Sequence, residues 1–142
     1  MNISLSDLKN ARDDRGFVIP GQESGDRLGT EVYNAGDIYG DGLADLVATA
    51  TDAGGVNSDM YTLYDSDRRG EAYVIFGRRD NSDSTFNLDN LNGSNGFRVS
   101  GLDAEHNLGS AVAAGALTGD GIDDLVHGAP NAGLLVSYYG YS

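Results

Sequence analysis

Two short stretches space aspartates so that they could gather a hard cation. In Asp37–Asp45 (DIYGDGLAD), carboxylates stand at positions 1, 5 and 9, with Gly40 and Gly42 between them. Ca2+ takes six to eight oxygens at about 2.3–2.6 Å, so such carboxylates must converge from a tightly wound backbone. Gly42 permits the positive φ that this winding needs. Leu43, at position 7, offers its main-chain carbonyl, and Asp45 opens a strand that would hold its carboxylate firmly enough to bind through both oxygens. Tyr39, at position 3, is a poor side-chain ligand, so a main-chain oxygen or a water must fill that vertex.

The second stretch, Ala116–Asp124 (ALTGDGIDD), keeps Asp120, the Ile122 carbonyl and Asp124, but has Ala116 at position 1 and Thr118 at position 3. Two carboxylates offset cation dehydration less than three, so this loop either binds more weakly or stays empty. Mg2+ suits both loops less well, because it demands octahedral geometry and keeps its waters. The metal-free alternative is a plain Asp-Gly hairpin turn. Such a turn does not need carboxylates at positions 1 and 9.

The rest of the composition narrows the chemistry. Nine basic residues face 22 acidic ones, a net charge of −13. That disfavours nucleic acid, whose phosphates need clustered Lys and Arg, and it disfavours anionic membranes. Cysteine is absent, so disulfides and thiolate metal sites are excluded. His106 and His127 sit in no recognisable zinc spacing, and a structural role is expected for both. No Ser-His-Asp constellation, phosphate loop or H-E-x-x-H motif occurs. No apolar run is long enough to span a bilayer, and Met1–Asn10 shows no signal-peptide core.

The elements that would position the loops come twice. Gly-Phe-x-x-x-Gly at Gly16–Gly21 recurs at Gly96–Gly101, and Leu28-Gly29 recurs as Leu108-Gly109, both at an offset of 80. Gly36–Val47 (GDIYGDGLADLV) recurs as Gly115–Val126 (GALTGDGIDDLV), at an offset of 79. Glu71–Gly77 matches Leu134–Gly140, and Leu5–Leu8 matches Leu88–Leu91. Five features in the same order mark an internal repeat. The segments Gly29–Asn34, Ala44–Thr51, Glu71–Phe76 and Gly96–Ser100 read as strands bounded by turn residues. The nearest thing to a helix is the short Leu5–Ala11. Four strands per repeat point to propeller blades. The first unit alone carries an insertion, roughly Asp52–Gly70, between its second and third strands.

The run Leu108-Gly109, Gly119–Leu125 (GDGIDDL) and Gly128-Ala129-Pro130 resembles an FG-GAP repeat, of the kind that builds the seven-bladed propeller of integrin α subunits and many bacterial surface proteins. The first unit has Leu28-Gly29 but shows Thr49-Ala50-Thr51 in place of the GAP triplet. The resemblance implies an all-β fold of two four-stranded antiparallel blades, one over about 22–101 and one over about 102–142. It also implies calcium at Asp37, Asp41, Leu43 and Asp45, and in the second loop at Asp120, Ile122 and Asp124, where Ala116 leaves one carboxylate fewer. In such proteins calcium stiffens hairpins on one propeller face while ligands bind the other.

Two blades do not close a propeller, and the second still needs an outer strand equivalent to 14–21. Either the chain is a piece of a longer one, or it assembles head to tail, with three or four copies giving six or eight blades. The expected function is that of a non-enzymatic module for adhesion, binding protein or glycan at a cell surface or outside the cell. The insertion, with Asp59, Tyr61, Tyr64, Asp65 and Asp67, is its candidate contact surface. The rival readings are a structural subunit of a surface assembly and, less favoured, an enzyme with an active site on a propeller face.

Overall fold

A computed structural model describes residues 16–54, 68–79, 83–138 and 140, together with Ser4 and Ser6. The helix candidate at Leu5–Ala11, Ser6 aside, and the contact residues chosen on the insertion lie outside the described residues.

The chain forms two antiparallel sheets. Strands β1 (Leu28–Gly36), β2 (Asp45–Ala50), β3 (Glu71–Ile75) and β4 (Gly96–Ser100) pair in sequence order as sheet 1. Strands β5 (Ala111–Gly115), β6 (Asp124–Ala129) and β7 (Leu134–Tyr138) pair in order as sheet 2. The four strands expected of the first unit are thus present to within two residues at each end. Consecutive strands pair as neighbours, the commonest arrangement in sheets, although two connections in sheet 1 are long, 51–70 between β2 and β3 and 76–95 between β3 and β4.

The alternation of side chains along each strand decides which face meets what. Val47 and Val74 point from sheet 1 towards sheet 2 and join Ala35, Ile38, Phe76 and Leu125 in one buried cluster, flanked by Phe97, Val112, Ala114 and Tyr138. Tyr73 and Ile75 point the other way, into a second cluster with Ala50, Ala53, Phe86 and Leu88. Phe17 and Ile19 cover that second cluster, tied down where Val18 bridges Thr85. Sheet 1 is therefore sandwiched, with sheet 2 on one face and the N-terminal segment on the other. Fully burying a side chain such as Leu125 is worth about 2 kcal/mol, so the inter-sheet cluster contributes strongly to holding the two sheets together.

Strand β1 differs from the others. It is mostly exposed, with Val32 at 60% and Tyr33 at 41%, and its pairing with β2 slips twice, between Leu28 and Val32 and between Asn34 and Gly36. The second slip is a bulge that delivers the chain into the first aspartate loop. Among the described residues no helix is long and apolar enough to cross a membrane.

Candidate functional site

Each aspartate loop joins the first two strands of its sheet, and both are wound around the residue at position 9. Asp45 Oδ2 accepts the N–H groups of Ile38 (2.8 Å) and Tyr39 (3.1 Å), and its Oδ1 accepts that of Gly77 (2.8 Å), just past β3. Asp124 repeats this bond for bond. Its Oδ2 accepts from Leu117 and Thr118, both at 2.8 Å, and its Oδ1 from Gly140 at 3.0 Å. One buried carboxylate thereby ties the loop's entry to the far strand of the same sheet. Two N–H groups that a tight loop would otherwise leave unpaired, and a third just past the sheet's third strand, are satisfied at once.

The two buried carboxyls are shifted in opposite directions. Burial pushes Asp45 up, against the N–H bonds from Gly77, Tyr39 and Ile38, and the neighbouring Asp37 charge adds to the rise. At Asp124 burial also acts upwards, but the N–H bonds from Thr118, Gly140 and Leu117 outweigh it and hold the carboxyl below its ordinary value. The Thr118 side chain adds a further hydrogen bond that favours the charged Asp124, loop 2 has no carboxylate at position 1 to oppose it, and among the described residues sheet 1 is packed on both faces and sheet 2 on one.

Position 1 separates the loops. Asp37 Oδ1 accepts from Gly40 (2.7 Å) and Asp41 (3.0 Å), and Oδ2 accepts from Gly42 (2.7 Å). Ala116 can do none of this. Position 5 behaves alike in both: Asp41 Oδ1 accepts from Leu43 at 2.9 Å, and Asp120 Oδ1 from Ile122 at 3.0 Å. The loops also touch. Asp37 N–H donates to Asp123 Oδ2 at 3.0 Å, and Asp123 N–H donates to the Asp37 carbonyl at 3.3 Å.

A carboxylate has about four acceptor positions. Asp37 and Asp45 have each used three, while Asp41 has used one. A cation could therefore draw on all three, but a clasp through both oxygens of Asp45 would displace one of its N–H bonds. Among the described residues no three carboxylates or imidazoles are grouped closely enough to hold a metal ion as they stand. Of the three carboxylates Asp41 is the exposed one. Tyr39 takes no ligand-like position: its ring stacks on Phe76 at 4.4 Å. That leaves only its main-chain oxygen, as its chemistry suggests. Thr118 uses its N–H to hold Asp124.

The histidines are separate from the loops. His106 lies in the connection before β5, where its Nδ1 accepts from Asp103 N–H at 3.3 Å. His127 has no exposed surface, and neither ring nitrogen has a hydrogen-bond partner. Burial alone pushes its pKa down to about 4, so it is neutral at pH 7.

A second polar site was not anticipated. Glu71 accepts from the Tyr73 hydroxyl and from Ser100 Oγ, and Arg98 approaches it at 3.8 Å. Tyr73 and Arg98 also reach Gln22 Oε1, whose amide in turn donates to Asp89. Burial and the hydrogen bond to Glu71 keep the Tyr73 phenol protonated. The cleft around Gln22, Asp26, Glu71 and Arg98 measures about 550 Å3. The signal was the alternation Glu-x-Tyr in β3 and Arg-x-Ser in β4, which becomes visible only once Glu71 is known to face Ser100 and Tyr73 to face Arg98. This network seats the N-terminal segment on sheet 1.

Compared with known proteins, the chain matches no family model and no curated sequence.

Proposed function

We propose that this chain is a calcium-stiffened β-propeller module of the FG-GAP type, which works outside the cell or at its surface by binding protein or glycan rather than by catalysis. The observation that supports it best is the doubled loop: two hairpins wound alike around Asp45 and Asp124, placed side by side on face-packed sheets, with Asp41 still free to accept a cation. Asp37, Asp41, Asp45 and the Leu43 carbonyl would hold the ion in the first loop. Asp120, Asp124 and the Ile122 carbonyl would do so in the second, more weakly for want of a carboxylate at position 1. A bound Ca2+ supplies positive charge that offsets the crowded carboxylates and stiffens the loop.

Catalysis is disfavoured by the same geometry. The aspartates at position 9 are committed to backbone N–H groups, and His127 is sealed between the sheets without a partner. The test is thermal melting during a calcium titration. Binding to the folded form alone raises the melting temperature by mass action, and chelator should reverse the rise. Asp41→Ala should remove most of the gain and Asp120→Ala less of it. A melting curve indifferent to calcium would refute the reading.

A further inference from the structure

The clearest asymmetry among the described residues is that sheet 1 has four strands and sheet 2 three. Internal repetition maps β3 onto β7 and Gly96–Ser100 (β4) onto residues 16–20. The N-terminal segment is thus the counterpart of the strand that sheet 2 lacks. It does not supply that strand within its own chain, because it lies on the far face of sheet 1. There Phe17 packs against the cluster of Tyr73 and Ile75, much as Phe97 packs against the cluster of Val74 and Leu125.

The hydrogen bonding of the segment shows which of its edges is open. Val18 N–H donates to the Ser84 carbonyl and its own carbonyl accepts from Phe86, both at 2.9 Å. In an extended chain, successive residues present their N–H and C=O groups to opposite sides. The groups of Phe17 and Ile19 therefore point the other way, and among the described residues they make no backbone bond. In sheet 1 the matching groups are the ones that pair with β3. Phe76 N–H donates to the Asn95 carbonyl, which sets Val74 and Phe97 as the next hydrogen-bonded pair in the register. On β7 the counterpart of Val74 is Ser137, on the edge that faces away from β6.

We infer that the edge of β7 away from β6, unpaired among the described residues, takes the Phe17–Ile19 edge of a second copy of this chain. The register of sheet 1 carried over gives antiparallel pairs Ser137 with Phe17 and Val136 with Val18. A copy that delivers this segment also brings its own sheet 1 alongside, because Phe17 stays packed on it. That neighbour covers the outward face of sheet 2, where Ala113 and Ser137 are exposed and Val126 is half-buried. The corresponding residues of sheet 1, Val47 and Val74, are completely buried by sheet 2. Each copy offers one donor edge and one acceptor edge, so the contact is heterologous and closes only as a ring or runs on as a fibre. The inference rests on the propeller reading for its register, but it does not require calcium.

The chain has no cysteine, so a disulfide can report the register directly. Val18 and Val136 would form a non-hydrogen-bonded pair, in which side chains come closest and a cross-strand disulfide can form. The Val18→Cys, Val136→Cys double variant should oxidise to a ladder of linked chains, whereas Val18→Cys with Leu134→Cys, out of register, should not. The unaltered protein should show a mass of three or four times 14.9 kDa by light scattering. Ser137→Pro removes only an N–H that points away from β6, which an edge strand tolerates. It should leave a folded protein of single-chain mass. A mass of one chain for the unaltered protein at submillimolar concentration overturns the inference, as does equal cross-linking by both cysteine pairs. If the ladder forms while the melting curve ignores calcium, the docking stands and the metal reading falls. If calcium stabilises a protein of single-chain mass, the reverse holds.

Discussion

The two aspartate loops share a backbone plan but divide its tasks differently. At position 9 they are the same: Asp45 and Asp124 each hold three N–H groups. At position 1 they part, since Asp37 closes its own loop with three further bonds and Ala116 makes none. Position 9 therefore serves the hairpin whether or not a cation binds. Position 1 is where a loop gains the extra charge that a cation could use. Spacing of aspartates alone conflates these tasks, and hydrogen bonding separates them.

The comparison is broken most severely at position 9. Asp45→Ala and Asp124→Ala should each cost about 3–5 kcal/mol, because three partly or fully buried bonds from N–H groups to a charged acceptor are lost. Chemical denaturation should find the two losses alike, and a near-neutral outcome at either would mean that the loop is held by something else.

Next in size is the buried histidine, which stands where the first unit has Ala48. The folded pKa of His127 is about 4, below its ordinary 6.5, so between those values the unfolded chain binds the proton more readily. The stability due to neutral burial is complete above pH 6.5 and is lost as the pH falls towards 4. The loss should approach about 3 kcal/mol. His127→Leu should flatten that window of the stability profile, leaving the carboxylates to act lower down.

Glycines at matched positions give a smaller and sharper contrast. Gly36 has φ +67° and a Cβ there would come within 1.9 Å of Asp123 Oδ2. Gly115 meets nothing within 4 Å and has no positive φ. Gly36→Ala should destabilise by about 1–3 kcal/mol, whereas Gly115→Ala should stay within about 0.5 kcal/mol. Equal losses would show that the contact between the loops through Asp123 is unimportant.

The smallest expected effect is the most instructive. Ala116→Asp restores the missing acceptor in the second loop and should add about 0.5–1 kcal/mol through local N–H bonds. It should also enlarge the response of melting temperature to calcium, while Asp37→Ala should diminish it. If both leave that response unchanged, position 1 does not bind the ion.

Much of the fold was legible in the chain. The recurrence of Gly-Phe-x-x-x-Gly, Leu-Gly and Gly-Asp-Gly marks two units, and β-branched runs between turn residues mark the strands, because both signals are local. The loops could be found from their spacing, but not the work of Asp45 or Asp124, whose partners Gly77 and Gly140 lie a strand away. The Glu71 network was hidden for the same reason, since Ser100 and Arg98 join it only through cross-strand register. His127 was expected to be structural. Its complete burial without a partner depends on the sheet that packs over it.

What the sequence determined by itself is the set of strands, their order and the turns between them, since these follow from residue type and short-range conformational preference. The tertiary structure alone decided which face of each sheet is covered and which edge is left open. Both depend on packing between residues far apart in the chain, where no spacing rule reaches. Among the described residues sheet 1 is covered on both faces and sheet 2 on one.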